Sequence, residues 1–543
     1  MMMVKKAFRQ KSIYLEGKVF RAALTFLMAA LFFFSHSSGA CAQTSSIDWS
    51  PNAKRLLQEG MNELFSYQLQ SAEAKFDSLI QLEPQRPEGY FYKSDCYLLT
   101  FIPGGENMAT YERFLELADQ SVRVSEFYLE HLAKTPSEKA LGQFFLAESH
   151  FAIAVADARA QNVIGAALNA HSSKGYYKDA LETDSAFYDA GKGVGMFYFF
   201  SSLIPSSFRW LATIFGYEQN RQEGVRLMQL AAQKGFYTKN ETRFYLAMFT
   251  FLFHQNKIQA EKELLTLLSE YPHSTILNYA LGLIYLDSKE MANAEAYFVR
   301  AAGDLSKDSE NSISKFALFR LAELHFRLND FEKAKAFLLT FEKKANYALY
   351  TAQLHYLLGV SEWMLGENQQ AKEHFEKAKA SGENPDELFM QRRAKFFLEH
   401  GISETSKAIL LGKNAFDSGR YPAALTYLEP LLSTPLKKDE LAEVHYLLAR
   451  IQDETGQSEN AIANYQACYK LFAQKERYLA PFSRYYLGKL YAKQGHTKLA
   501  YEELEKSLRY ISYDFEDILK EKAKYELEKI AAGQTEITNQ PSR

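Results

Sequence analysis

With 543 residues, 47% of them apolar and 24% charged, and a formal net charge of −3, the chain can bury a large total core. It is too close to neutral to suggest nucleic acid or a strongly acidic surface as partner. Its three cysteines are too few for a disulfide-built scaffold, and no Walker loop, nucleophile elbow or His-Glu-x-x-His motif is present.

The chain opens on basic residues from Lys5 to Arg21, an apolar run from Ala22 to Phe34, and small residues ending in Ala40-Cys41-Ala42. This is the layout of a secretory signal peptide over residues 1–42, cleaved after Ala42. The run falls short of the about 20 apolar residues that span a bilayer; a retained signal anchor is the alternative. Ser38-Gly39-Ala40-Cys41 has the small residues of a lipoprotein processing site but lacks the usual aliphatic residue three positions before the cysteine, so Cys41 is a second candidate, for acylation. After cleavage Cys96 and Cys468 remain, in widely separated segments, and read as apolar fillers. An exported, periplasmic or outer-membrane-associated protein is expected.

Residues 43–165 read as irregular helical repeats. Gly60, Ala72, Phe76 and Pro84 fit a first hairpin starting near Ala53, Tyr111 to Lys134 keeps helical periodicity, and Phe144 to Gln161 forms an alanine-rich helix.

Residues 166–239 are the most distinctive. They hold Gly191, Gly193 and Gly195, then Ser201-Ser202-Leu203-Ile204-Pro205, Phe215-Gly216-Tyr217, Arg221 and Glu223-Gly224. This segment resembles the central region of the inclusion-body-clearance family of tetratricopeptide-repeat proteins, which carries a glycine-led helix, a Ser-Leu-Leu-Pro-like break and a glycine turn before an Arg and Gly. What the resemblance implies is architecture: a helical segment joining two halves of a repeat stack. The apolar stretch 193–216 reads as a buried hairpin broken at Pro205, or alternatively as a peripheral lipid contact.

From residue 240 to 512 one pattern recurs. Leu281-Gly282 pairs with Ala294, Phe298 and Ala301; Leu321-Ala322 with Ala334 and Leu338; Leu358-Gly359 with Ala371, Phe375 and Ala378. Further on, Leu411-Gly412 pairs with Ala424 and Leu428, Leu448-Ala449 with Ala461 and Tyr465, and Leu487-Gly488 with Ala500 and Leu504. Small residues at the eighth and twentieth positions let two helices cross closely, and large apolar residues fill the rest. The units start near Asn240, Thr275, Lys315, Ala352, Thr405, Ala442 and Pro481, at spacings of 35, 40, 37, 53, 37 and 39 residues. The stretch resembles the tetratricopeptide-repeat family, which implies an all-α, right-handed α-solenoid of helix-turn-helix repeats. The 53-residue step holds Glu383-Asn384-Pro385 and a helical run from Asp386 to His400, either an extra helix or a degenerate repeat.

First helices of such repeats line a concave face. The fifth position carries Phe244, Tyr279, Phe319, Tyr356, Ile409, Tyr446 and Tyr485, and the twelfth adds Phe251, Phe326 and Trp363. These rings either form a ladder that grips an extended peptide or, less readily, a glycan, or they pack against the next repeat. Glu323, Arg327, Lys413, Asp417, Arg450, Asp453, Glu454, Lys489 and Lys493 give the same face mixed charge. No ninth-position asparagine supports a carboxylate clamp. Asp304, Ser306, Asp308 and Glu310 alternate like a calcium loop, but Ser309 and Lys315 stand where glycine and glutamate are required. His150, His325, His355 and His445 read as packing residues, so neither metal nor cofactor is expected. Residues 513–532 form a capping helix and residues 533–543 a polar tail.

The expected function is a non-enzymatic protein-interaction scaffold in the cell envelope, binding a protein or peptide partner through Phe244, Tyr279, Phe319, Tyr356, Trp363, Tyr446 and Tyr485. A lipid- or glycan-binding module is the alternative.

Overall fold

The computed structural model describes residues 49–531 and 533, apart from 105–106, 203–219, 253–255, 304–311, 345–349, 381–384 and 472–477. The signal segment, Cys41, Pro205, most of the calcium-like run and the polar tail lie outside the described residues.

The fold is all-α, a tetratricopeptide-type solenoid, with no strand among the described residues. In chain order the helices are α1 (Pro51–Phe65), α2 (Leu69–Leu82), α3 (Pro87–Gly104), α4 (Met108–Phe127), α5 (Pro136–Arg159), α6 (Val163–Thr183), α7 (Ala190–Ser202) and α8 (Arg221–Lys234). Then come α9 (Lys239–Leu252), α10 (Lys257–Glu270), α11 (Thr275–Asp287), α12 (Met291–Ala302), α13 (Ser312–Arg327), α14 (Phe331–Lys344), α15 (Thr351–Met364) and α16 (Asn368–Lys379). The last are α17 (Pro385–His400), α18 (Glu404–Asp417), α19 (Tyr421–Leu428), α20 (Lys438–Glu454), α21 (Ser458–Leu471), α22 (Leu479–Lys493), α23 (Thr497–Leu508) and α24 (Glu516–Ala531). They group into two compact units. One comprises the chain through Tyr285 with Asn293–Ala317, and the other Leu286–Ala292 with Leu318 onward.

Two local devices make the hairpins. The first is a glycine facing a large residue sixteen positions later. A Cβ on Gly60 would lie 2.5 Å from the Phe76 ring, on Gly282 2.6 Å from Phe298, on Gly359 2.7 Å from Phe375, on Gly412 2.6 Å from Leu428 and on Gly488 2.7 Å from Leu504. Side chains cannot approach that closely, so glycine at the eighth position sets how near the two helices pass. The second is a left-handed residue at the fifteenth position, which turns the chain back: Gly366, Gly419, Gly456 and Gly495 have φ of 75° to 85°, and Tyr67, Lys289 and Asn329 have φ of 61° to 64°. Residues other than glycine adopt that conformation at a cost. The turn after α1 falls on this register, so Ala53 starts a true first repeat.

In the first unit α1 pairs with α2, α3 with α4, α5 with α6, α7 with α8 and α9 with α10. Thr135 and Glu138 cap α5 reciprocally, and Asn107, Asn162, Asn220 and Asn256 cap α4, α6, α8 and α10, each satisfying an otherwise unpaired N–H. The glycines of α7 have specific tasks. A Cβ on Gly193 would meet the Tyr177 ring at 2.3 Å, and one on Gly195 the carbonyl of Gly224 at 2.6 Å. Tyr177 donates to Glu148 at 2.7 Å, and Lys192 donates to Glu148 at 2.8 Å and to Glu241 at 3.1 Å, all within the core. Burial alone would strip Lys192 of its proton; the two carboxylates outweigh that and raise it to about 12.

In the second unit α15 pairs with α16, α18 with α19, α20 with α21 and α22 with α23, and α24 covers α22 and α23. The 53-residue step is filled by α17, packed on α15 and α16, with Phe389 against Tyr478 and Phe515. Cys96 and Cys468 are both buried free thiols.

Each unit also closes on itself between repeats that are not neighbours. In the first, Ser274 donates to the Phe65 carbonyl at 3.1 Å, and the Phe65 and Tyr271 rings meet edge-on at 4.8 Å. In the second, Asn414 donates to the Phe326 carbonyl at 2.9 Å and Arg420 to that of Arg327 at 3.1 Å. Repeats of an open solenoid touch mainly their neighbours; these contacts reach further. The residues that reach across sit at hairpin ends, Tyr271 and Ser274 between α10 and α11, Asn414 in the last turn of α18 and Arg420 just after it.

Candidate partner-docking surface

The aromatic ladder lies inside the protein. Phe244 is 1% exposed, Tyr279 7%, Phe319 0%, Tyr356 6%, Tyr446 9% and Tyr485 2%. Tyr279 packs on Phe298, Phe319 on Phe341 and Tyr350, and Tyr356 on Phe375 and Phe397. Tyr446 packs on Tyr478 and Tyr486, and Tyr485 on Tyr486. The rings therefore serve as packing between helices, a correction to their reading as a docking ladder. The fifth position looks into the crossing with the following helix, where an aromatic fills the gap that long units leave. Of the proposed set only Trp363 stays half-exposed, with the Lys407 ammonium 6.0 Å from its ring centre.

What the second unit brings to its surface is charge. The ninth and thirteenth positions of the repeats starting at Thr405 and Ala442, on α18 and α20, carry Lys413 with Asp417 and Arg450 with Glu454. Each pair is bonded one helical turn apart, at 2.8 Å for the latter. Lys289, the left-handed turn residue between α11 and α12, reaches Glu454 at 2.5 Å, and its ammonium sits 3.6 Å above the Phe416 ring. Arg450 stacks at 3.7 Å on Tyr486, and Tyr421 donates to Glu454. The side chains of Lys413, Asp417, Arg450, Glu454 and Lys289 are 42%, 25%, 17%, 28% and 18% exposed.

Burial raises the Glu454 carboxyl, but Lys289 and Tyr421 outweigh it and hold the group below the usual carboxylate range. Asp417 is lowered likewise, by Lys413 and Arg327 against its burial. Lys289 is lowered, because burial outweighs Glu454. The outcome is a strip of alternating, half-exposed charge laid over aromatic rings, polar enough to stay wet and apolar enough beneath to reward desolvation. The sequence named four of these residues; Lys289 it missed, because a turn residue fifteen positions into its unit carries no periodic signal.

Chain comparisons place the molecule. Residues 109–397 match the model of the Iml2/Tetratricopeptide repeat protein 39 family and residues 409–476 a tetratricopeptide-repeat model. The chain belongs to the Iml2/Tetratricopeptide repeat protein 39 family. The match runs well beyond the glycine-led segment that carried the resemblance, from α4 to α17. No curated protein matches the chain. Among solved structures, the P58(IPK) tetratricopeptide-repeat domain is 11% identical, covering 90% of this chain and 100% of that one, with a TM-score of 0.21. Yeast Tom70 is 12% identical over 90% and 97%, with a TM-score of 0.25. The Cut9–Hcn1 hetero-tetramer of the APC/C is 13% identical over 89% and 96%, with a TM-score of 0.21. Values this low say nothing about partners. A member of this family built from tetratricopeptide hairpins is a protein-interaction scaffold.

Among the described residues no helix is long and apolar enough to cross a membrane. Of the apolar segment 193–216, residues 193–196, Phe199 and Ser201 are buried against neighbouring helices; residues 203–216 lie outside the described residues.

Proposed function

We propose that this chain is a non-enzymatic scaffold, exported to the cell envelope, that docks a protein or peptide partner on the charged strip around Lys413, Asp417, Arg450 and Glu454. The observation that carries the docking site is the contrast between rings closed into the core and charges left half-exposed above them. Export rests on the basic, apolar and small-residue succession in residues 1–42.

Two partly exposed lysines at the ninth position, Lys413 and Lys489, with side chains 42% and 34% exposed, give the test. Changing both to Glu inverts charge and replaces no ring, although the Lys489 ammonium lies 5.8 Å from the centre of the buried Tyr485 ring. Capture of the envelope partner by the full-length chain drops at least tenfold while the melting temperature stays within a few degrees. Undiminished capture would remove the strip as the docking site. Cell fractionation and the intact mass of the mature chain test export: a chain ending its leader at Ala42 supports it, and an uncleaved cytoplasmic chain contradicts it.

A further inference from the structure

Three tetratricopeptide hairpins in the second unit carry a polar latch between the fourth position of the first helix and the twenty-third, nineteen residues on. Arg484 donates to Glu503 at 2.6 Å, and His445 meets Asn464 at 2.7 Å. In the unit starting at Ala352 the same two positions hold His355 on α15 and His374 on α16, their Nδ1 atoms 3.1 Å apart. A third ligating group faces them from the preceding repeat: the Glu342 carboxylate, at the end of α14, lies 3.8 Å from His355 Nδ1. The three ligand atoms fall within 4.8 Å of one another.

We propose that His355, His374 and Glu342 form a binding site for one divalent transition-metal ion of the zinc class. The distances suit it. Two imidazole nitrogens at about 2.0–2.1 Å from a tetrahedral ion stand roughly 3.3–3.4 Å apart, so the pair need open only by a few tenths of an ångström. The imidazole side chains are 10% and 11% exposed and that of Glu342 35%, which leaves the fourth position toward solvent on the Glu342 side. Behind the pair, the Glu362 carboxylate lies 3.6 Å from His374 Nε2 and is itself 3% exposed. It favours a proton on Nε2 and so leaves the Nδ1 lone pair turned toward His355, the outer-shell arrangement of ligating histidines. Without a cation, only one of the facing nitrogens can carry a proton between them, and the other must accept it. Burial, with the neighbouring imidazole and Lys377, holds His355 down to about 4, and burial with Lys377 does the same for His374; proton competition at neutral pH is therefore weak. Neither of the other two latches combines two ligating side chains with a third. An ion here would tie α14, α15 and α16 across a repeat boundary.

The test uses the full-length chain stripped with chelator, then titrated with Zn²⁺ by calorimetry and with Co²⁺ by visible absorption. One equivalent binds, the Co²⁺ complex shows the intense bands of a tetrahedral N/O site, and Zn²⁺ raises the melting temperature. His374→Gln abolishes this binding, Glu342→Gln weakens it at least tenfold, and His445→Gln leaves it intact. Because His374→Gln disturbs a packed position, the half-exposed Glu342→Gln, with its fold checked by circular dichroism, keeps the test decisive. Wild-type chain that takes up no equivalent of Zn²⁺, or uptake unchanged in folded Glu342→Gln and His374→Gln, would overturn the proposal.

Discussion

The two units build the same hairpin and hold it with different chemistry. In the first, charge is taken fully inside: Lys192, Glu148 and Glu241 are at most 2% exposed and satisfy one another with Tyr177. In the second, Glu362 is also buried, but the charges of the strip stay partly exposed, with Lys289, Lys413, Arg450 and Glu454 arranged over rings. Buried ions fix a unique packing and tolerate no missing member, whereas half-exposed ions contribute little stability and remain available to a partner. The glycine-led segment that marks the family is thus read as a structural element, because Gly193 leaves the space in which Tyr177 reaches Glu148.

The sharpest way to break this contrast is Lys192→Met, which strands two carboxylates in the first unit. A loss of about 3–5 kcal/mol is expected in urea denaturation, and a loss under about 1 kcal/mol would show the network to be wet. Gly282→Val comes next. It places a branched side chain against the Phe298 ring and is expected to cost about 1–3 kcal/mol of overpacking, read as a lower urea midpoint at unchanged slope.

The smallest effect is pH dependence, and it separates the units. His355 and His374 titrate near 6.5 when unfolded and near 4 when folded, so between those values the unfolded chain binds more protons. Stability from the pair is full above pH 6.5 and lost as pH falls toward 4. Glu362, raised by burial from 4.5 to about 7, opposes this by weakening the fold as pH rises through the same range. Two imidazoles against one carboxyl leave the second unit less stable at pH 5 than at pH 7 in chelator, and changing both histidines to Gln reverses the sign. The Lys192 ammonium, raised from 10.5 to about 12, keeps its contribution across this range and loses it only as pH rises through about 12.

Much of the fold was legible in the residues. Gly60 with Phe76, Gly282 with Phe298 and Gly488 with Leu504 give the hairpin register because a close helix crossing admits no side chain. The ladder was not legible in its role. Tyr279, Tyr356 and Tyr446 repeat with one period whether they face solvent or the next helix, so periodicity alone cannot tell a groove from a core. His374 was not legible as a partner of His355 because it sits on the second helix, and the carboxylate that faces His355, Glu342, belongs to another repeat. Lys192 carried no signal in the sequence, because its partners Glu148 and Glu241 each lie more than forty positions away.

Chemical labelling of tyrosines in the native chain, mapped by mass spectrometry, tests most directly whether the rings are core and the charges surface. Tyr427 and Tyr501, 36% and 48% exposed, should be modified readily, and Tyr279, Tyr356, Tyr446 and Tyr485 only after denaturation. Modification of those four in the folded protein at the rate of Tyr501 would contradict the account.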